Sequence, residues 1–334
     1  MLRIGVIGCG GMGKDHIRRI TNKIQEAEVT AVSDVFEESA KTAAEICGAK
    51  VYTDAKELIY APEVDAVLIV SPGFAHADSL LESIRAGKRV FCEKPLCTTA
   101  EDCLKVVEAE AASGKHLIQV GFMRRYDKGY QQVKSALDSG NFGEPLVLHC
   151  THRNPEVGMN YNTPMAVHDT AIHEIDVLHW LVDDEYESAQ VIMPRVTKYS
   201  HSELKDPQIM LLRTKKGVCI DVEVFVNCKF GYDINCEVVC EDGAVRMPQP
   251  MYPEIRKSAA VSAAIDTDCF VRFKDAYDTE IQAWVDDAAK DEINGPTAWD
   301  GYLAAITADA LVKAQETGMI EKIEAAVKKP EFYK

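Results

Sequence analysis

Nothing in the 334 residues approaches the roughly 18 consecutive apolar positions that a membrane span requires; the longest runs break quickly at Asp, Gly or Pro. Positive charge is scarce as well. Against 53 Asp+Glu stand 37 Lys+Arg, a net charge of −16, which repels polyphosphate backbones and anionic lipid and so excludes nucleic acid and a membrane surface as expected partners. A secretory leader is missing: Arg3 precedes only Ile4, Gly5, Val6 and Ile7 before a glycine cluster, so the expected location is the cytoplasm. There is no internal repeat, low-complexity tract or long Pro/Gly/Ser linker. A disulfide framework is also absent, because eleven cysteines are an odd number and are dispersed along the chain; reduced, mostly buried thiols are expected. Cys236 and Cys240 fall on one face of an expected strand, about 13 Å apart, too far to share a zinc ion. What is present is ordinary for a globular protein: 47% of the residues are hydrophobic, and the length suits two domains at roughly 150 residues each.

Over the first 120 or so residues, short β-branched runs alternate with helical stretches. Strands are expected at Arg3 to Ile7, Glu28 to Ser33, Asp65 to Val70, Arg89 to Cys92 and His116 to Val120. Helices are expected at Lys14 to Gln25, Asp78 to Ala86 and Thr99 to Ser113. This is the grammar of an α/β, doubly wound parallel sheet. Afterwards the pattern changes. Strands at Leu146 to Cys150, Ala189 to Met193, Gln208 to Thr214, Val218 to Val226 and Asn235 to Cys240 are joined by turns such as Lys216-Gly217 and Asp242-Gly243. Together with helices at about Asp169 to Leu181 and near the C-terminus, they predict an α+β domain with a mostly antiparallel sheet. The boundary is set at residue 121, giving domains 1–121 and 122–334.

Gly8-Cys9-Gly10-Gly11-Met12-Gly13 matches G-x-G-x-x-G between an expected strand and an expected helix. In such a turn the first glycine permits the tight bend, the second lets a pyrophosphate approach the backbone, and the third lets helix pack on strand. Asp34 ends the next expected strand, 34 − 13 = 21 residues beyond the last glycine, where an acidic side chain holds a ribose 2′-hydroxyl and repels a 2′-phosphate. NAD is therefore the expected cofactor, at Gly8, Gly10, Gly11, Met12, Gly13 and Asp34. A flavin fits the same frame but needs more sequence to hold its ring system.

Lys94 follows a parallel strand, at the edge where open α/β sheets bind ligands, and Pro95 biases it toward an extended backbone. Further on, Asp169 and His173 are four apart, with Asp176 and Trp180 continuing the helical face. A neutral imidazole accepts a proton near neutral pH, and a carboxylate one turn away fixes its tautomer. Three readings compete: a hydrogen-bonded core histidine, a metal site of Asp169, His173 and Asp176, and a catalytic base. A nicotinamide domain that lacks a base of its own favours the last, with no metal. His168 points about 100° away around a helix and is the weaker candidate.

Taken together, the fingerprint, Ser71-Pro72-Gly73-Phe74-Ala75-His76, Glu93-Lys94-Pro95 and the Asp169/His173 pair resemble the glucose–fructose oxidoreductase, inositol dehydrogenase and MocA family. The likeness runs nearly end to end. Gly121 to Asp127, His152-Arg153-Asn154-Pro155, His173 to Trp180 and Pro296 to Tyr302 are most similar to its inositol branch. The resemblance implies Lys94, Asp169 and His173 as the catalytic group. It also implies Ser71, His76 and Glu93 beside the cofactor, and Arg124, His152, Asn154 and Tyr232 at the polyol pocket. It further implies an open second sheet that makes subunit contacts, commonly in a homotetramer. The activity implied is NAD-dependent oxidation of a secondary alcohol on a cyclic polyol to a ketone, foremost myo-inositol to the 2-keto compound. Another inositol isomer or an aldose is the alternative substrate, and an NAD-sensing regulator the alternative without catalysis. Two departures stand out: Cys9 within the fingerprint, and the segment from about Met251 to Phe273, which follows the inositol pattern poorly.

Overall fold

The computed structural model describes residues 1–249 and 252–333; Met251, where the divergent segment begins, lies outside them. Two compact units emerge. The first contains six parallel strands: β1 (Leu2–Ile7), β2 (Ala27–Ser33), β3 (Lys50–Tyr52), β4 (Ala66–Ile69), β5 (Arg89–Glu93) and β6 (Ile118–Gly121). Their order is β3-β2-β1-β4-β5-β6, the doubly wound arrangement, with the switch point between β1 and β4. Helices α1 (Gly11–Asn22), α2 (Glu37–Cys47), α3 (Ala55–Ile59), α4 (His76–Arg85) and α5 (Ala100–Ser113) make the crossovers. Every residue of β4, β5 and β6 is buried, as expected of parallel strands covered on both faces. Helix α1 starts inside the glycine fingerprint, three residues before the expected Lys14, because Gly10 serves as its N-cap.

The second unit is built on a seven-stranded sheet. Helix α6 (Lys128–Asp138) precedes β7 (Pro145–Arg153), and α7 (Ile172–Val182) precedes β8 (Tyr186–Ile192), β9 (Gln208–Thr214), β10 (Cys219–Phe225), β11 (Asp233–Cys240) and β12 (Ala244–Arg246). Beyond these, β13 (Ile255–Lys257) and β14 (Ala260–Ser262) form an exposed hairpin, followed by the short α8 (Cys269–Arg272). With β15 (Glu321–Lys322) at its far edge, the sheet order is β12-β11-β7-β10-β9-β8-β15. Only the β7–β10 pair is parallel, so the sheet is mixed with an antiparallel majority. Alternation sets one face inward. Leu148, Cys150 and His152 of β7 are buried beside Ile220, Val222 and Val224 of β10 and Ile234, Cys236 and Val238 of β11.

Three features correct the sequence reading. First, residues 122–334 do not form a single unit: the chain passes into the second unit at Met123, and Tyr277–Ala305 and the stretch from Ala325 pack with the first. Helix α9 (Lys274–Ala288) explains this return, since its Ile281, Trp284 and Val285 join Ile4, Val6, Ile17 and Phe91 in the first unit's core. Helix α10 (Ala298–Thr317) then passes from one unit to the other. Second, the expected helix at Asp169 begins as a π-helical turn, Ala166–Ala171, before α7 takes over. Third, Asp176 is buried and accepts Arg125 Nε at 2.9 Å, a pairing that the helical spacing did not announce. All eleven cysteines are unpaired and most are buried, Cys236, Val238 and Cys240 sharing one strand face as expected. No helix among the described residues is long and apolar enough to cross a membrane.

Candidate active site

The glycine turn is shaped for a close ligand. Gly8 takes φ +99°, and a Cβ there would sit 2.4 Å from the Ser71 nitrogen; at Gly13 it would sit 2.1 Å from the Gly8 carbonyl oxygen. The turn, β4's exit and α1 are thus pressed together at the switch point. At Gly10 and Gly11, by contrast, a Cβ would meet nothing within 4 Å. Helix α1 has no side-chain cap and no acidic residue in its first turn, so its leading N–H groups face that open space. This cradle fits a pyrophosphate. Asp34 lies just past β2, accepting the Cys9 N–H at 2.8 Å and the Phe36 N–H at 2.9 Å, which orients its carboxylate beside the turn. Cys9 is buried, and burial with Asp34 nearby pushes its thiol up to about 12. It therefore packs as a small neutral group.

Two further residues of the cofactor edge act through their neighbours. His76 is 1% exposed, with Nδ1 2.8 Å from the Pro95 oxygen and Nε2 2.7 Å from the Ser71 oxygen. It ties the loop after β4 to the loop after β5. Glu93, buried at the end of β5, approaches His16 Nε2 at 2.7 Å and accepts the Lys94 N–H at 3.2 Å. Burial works to raise its carboxyl, and the hydrogen bond and charge of His16, with Lys94 behind them, outweigh it and lower the pKa. His16 Nδ1 meets Arg19 at 2.9 Å, and Arg19 continues to Asp278 at 2.8 Å. Lys94 itself is half-buried at the strand end, joined to Pro95 by a cis peptide bond.

In the second unit, the π-turn carries the exposed Asp169 and the half-buried His168, and His173 opens α7. Such turns are frequent at functional sites. The His173 ring lies 6.5 Å from the His152 ring, centroid to centroid. Around His152 the structure assembles a buried polar network. Glu174 Oε2 is 2.8 Å from His152 Nδ1, its Oε1 meets Arg124 Nη1, and the Tyr232 hydroxyl is 3.4 Å from His152 Nε2. Arg124 Nη1 also donates to the Tyr130 hydroxyl at 3.4 Å, and the guanidinium lies against the Phe273 ring at 5.2 Å. Arg124, Glu174, His152, Tyr130 and Tyr232 are all at most 5% exposed. Burial opposes ionisation of Glu174, but the charges of Arg124 and His152 prevail and its pKa is lowered. Burial raises the Tyr232 phenol well above its ordinary range, so it stays protonated. Asn154 continues β7, its N–H donating to the Phe225 oxygen at 2.9 Å.

Of the sequence-derived residues, the structure therefore groups Arg124, His152, Tyr232 and His173 in one unit, and the glycine turn with Asp34, Ser71, His76, Glu93 and Lys94 in the other. Glu174, Tyr130 and His16 escaped the sequence reading. No three His, Cys, Asp or Glu side chains among the described residues converge as metal ligands.

Residues 2–122 match the Gfo/Idh/MocA description "Oxidoreductase family, NAD-binding Rossmann fold", and residues 134–324 match its "C-terminal alpha/beta domain". The chain belongs to the Gfo/Idh/MocA oxidoreductase family. The inositol 2-dehydrogenase of Pseudomonas syringae pv. syringae (strain B728a) is 53% identical over 334 residues, 99% of each chain. A Shouchella clausii (strain KSM-K16) protein named inositol 2-dehydrogenase/D-chiro-inositol 3-dehydrogenase is 53% identical over 99% of this chain and 96% of its own. Among solved structures, myo-inositol dehydrogenase from Lactobacillus casei, in complex with NAD(H) and myo-inositol, superposes with TM-score 0.98 at 44% identity over 100% of both chains. The scyllo-inositol dehydrogenase of the same organism reaches 0.90 at 26% identity, over 97% of this chain and 99% of that one. Residues 2–122 thus form an NAD-binding Rossmann domain.

Proposed function

We propose that this chain is an NAD-dependent dehydrogenase that oxidises the 2-hydroxyl of myo-inositol to a ketone, in the catabolism of inositol. The full-length likeness to a myo-inositol dehydrogenase holding both ligands carries this reading. NAD bound at Gly8 to Gly13 and Asp34 supplies the hydride acceptor.

The protein's own groups handle the proton and the polyol. In the proposed mechanism His173 takes the proton of the reacting hydroxyl through its imidazole, and Asp169, one turn earlier, orients that ring and stabilises its protonated form. Lys94 donates to the same oxygen, where negative charge develops as the C–H bond breaks. Arg124, His152, Asn154 and Tyr232 hold the remaining hydroxyls. His76 and Glu93 act one step back, fixing the loops that carry Ser71 and Lys94.

A homotetramer is proposed on the sheet of the second unit. Its outer face carries His149, Arg153, Asp221 and Glu223, together with an apolar depression of about 250 Å³ lined by Val147, Leu211 and Ile320. The unpaired cysteines support a reducing compartment, the cytoplasm.

A second reading, action on D-chiro-inositol as well, draws on the doubly named relative and on the divergent segment around β13 and β14. Both are tested by following NADH with NAD and a panel of myo-, scyllo- and D-chiro-inositol and aldoses. Highest kcat/KM with myo-inositol is expected. No turnover of any inositol, with NAD binding intact, overturns the assignment.

A further inference from the structure

We infer that His16 is a positioning residue for Lys94: acting through Glu93, it ties the helix that opens at the glycine cradle to the strand end that presents the lysine. The inference rests on the proposed role of Lys94 at the reacting oxygen and adds a residue that the sequence reading passed over.

His16 stands three residues beyond Gly13, the last glycine of the turn, and belongs to the buried face of α1 with Gly13, Ile17 and Ile20. On β5, Phe91 and Glu93 are two apart and share the face that meets it. The His16 ring lies edge-on to Phe91 at 6.0 Å between centroids, and its Nε2 is 2.7 Å from Glu93 Oε1. His16 is 0% exposed and Glu93 6%. All of these residues lie in the first unit.

Charge settles which group donates. Burial works to raise the Glu93 carboxyl, but the hydrogen bond and charge of His16 prevail, so Glu93 is a carboxylate and only accepts. His16 Nε2 therefore donates to it. On the far side of the ring, Arg19 Nη1 lies 2.9 Å from Nδ1; Arg19 is itself held by Asp15 and by Asp278 of α9, each at 2.8 Å, and lies 5.1 Å from the Tyr277 ring. The imidazole is thus clamped at both nitrogens. The second oxygen of Glu93, Oε2, accepts the Lys94 N–H at 3.2 Å. One carboxylate spans the cradle helix and the backbone from which Lys94 departs. The other groups that act on Glu93 are Lys94, whose charge also lowers its pKa, and Cys92, whose thiol burial pushes well up and keeps neutral. A misplacement of about 1 Å in a reacting group costs up to about 10²-fold in rate, and this brace prevents one at Lys94.

His16→Gln and His16→Asn separate bracing from packing. The amide nitrogen of glutamine stands as many bonds from Cβ as Nε2 does and still donates to Glu93, whereas that of asparagine is one bond shorter and falls short of it. With NAD and myo-inositol saturating, kcat is expected to stay within about threefold for His16→Gln and to fall about tenfold or more for His16→Asn, while NAD affinity changes less than about threefold in both. In His16→Asn the Glu93 carboxyl loses what lowered it, burial raises it, and the acid limb of kcat moves up by about one pH unit or more. In a Glu93→Gln background, with no carboxyl left to titrate there, the same substitution should alter kcat by less than about twofold and move no limb. Equal losses for the two His16 variants, or an undiminished loss in Glu93→Gln, would overturn the inference.

Should His16→Asn not fold, the unsubstituted protein with NAD shows the bond directly. Histidine ¹⁵N NMR, with His16 assigned by its loss in His16→Gln, is expected to show a protonated Nε2 whose proton resonance moves in Glu93→Gln; a bare Nε2, or a resonance indifferent to Glu93→Gln, overturns the inference. This spectrum does not depend on turnover, so failure of the inositol assignment and failure of the brace are read separately.

Discussion

The carboxylate of Asp34 accepts the backbone N–H of Cys9 at 2.8 Å, which joins the acidic end of one strand to the middle of the glycine turn that follows another. Replacing Asp34 with Ala removes the proposed ribose acceptor and the bond to Cys9 together. We expect kcat/KM for NAD to fall about tenfold or more, in line with loss of charge-assisted hydrogen bonds, and the NADP-to-NAD ratio of kcat/KM to rise. The check is initial rates with both cofactors.

The glycines of the turn separate folding from binding. Gly8→Ala places a Cβ against Ser71 at φ +99°, so the apo-protein should lose roughly 1–3 kcal/mol in denaturant unfolding. At Gly10 a Cβ enters open space, and Gly10→Ala should leave apo stability intact while weakening NAD binding in titration calorimetry.

As the proposed base, His173 should bear on chemistry more than on binding. His173→Ala should lower kcat by about 10²-fold or more, the usual contribution of a general base, with NAD affinity nearly unchanged. Full turnover in that variant contradicts its role as the base.

Stability should depend on pH through three buried carboxyls. Glu93 and Glu174 have lowered pKa values in the fold, so their contribution is present above the ordinary carboxylate value and is lost as pH falls through the folded one. Glu110 runs the other way. Burial raises its pKa against the hydrogen bonds of Tyr333, Leu117 and Ile118, so its contribution is full at low pH and is lost as pH rises through the raised value. An amide there keeps the bonds from Leu117 and Ile118 and never ionises. Thermal melts should therefore show Glu110→Gln gaining on the unsubstituted protein as pH rises from 4 to 8, with little difference at the acid end.

Much of this was legible in the residues. The fingerprint fixed the switch point because strand, turn and helix are local and each carries its own signal, and Asp34 followed by counting. β3 was missed because Lys50–Tyr52 is too short to show a period. Helices were expected near the C-terminus, but sequence does not say which core receives Ile281, Trp284 and Val285 of α9. Spacing likewise cannot separate a π-turn from an α-turn at Asp169. Glu174 was illegible for a related reason: its burial depends on Arg124, 50 residues earlier, and on His152 from strand β7.

The central claim is that one hydrogen leaves carbon 2 of the polyol for the bound cofactor while the protein takes the proton. Incubating the enzyme with NAD and myo-inositol deuterated at carbon 2, and reading the reduced cofactor by mass spectrometry, tests it most directly. One deuterium in each reduced nicotinamide, matched by one ketone, is the predicted result. Unlabelled NADH, or NAD left unreduced by a protein that binds it, would contradict the account.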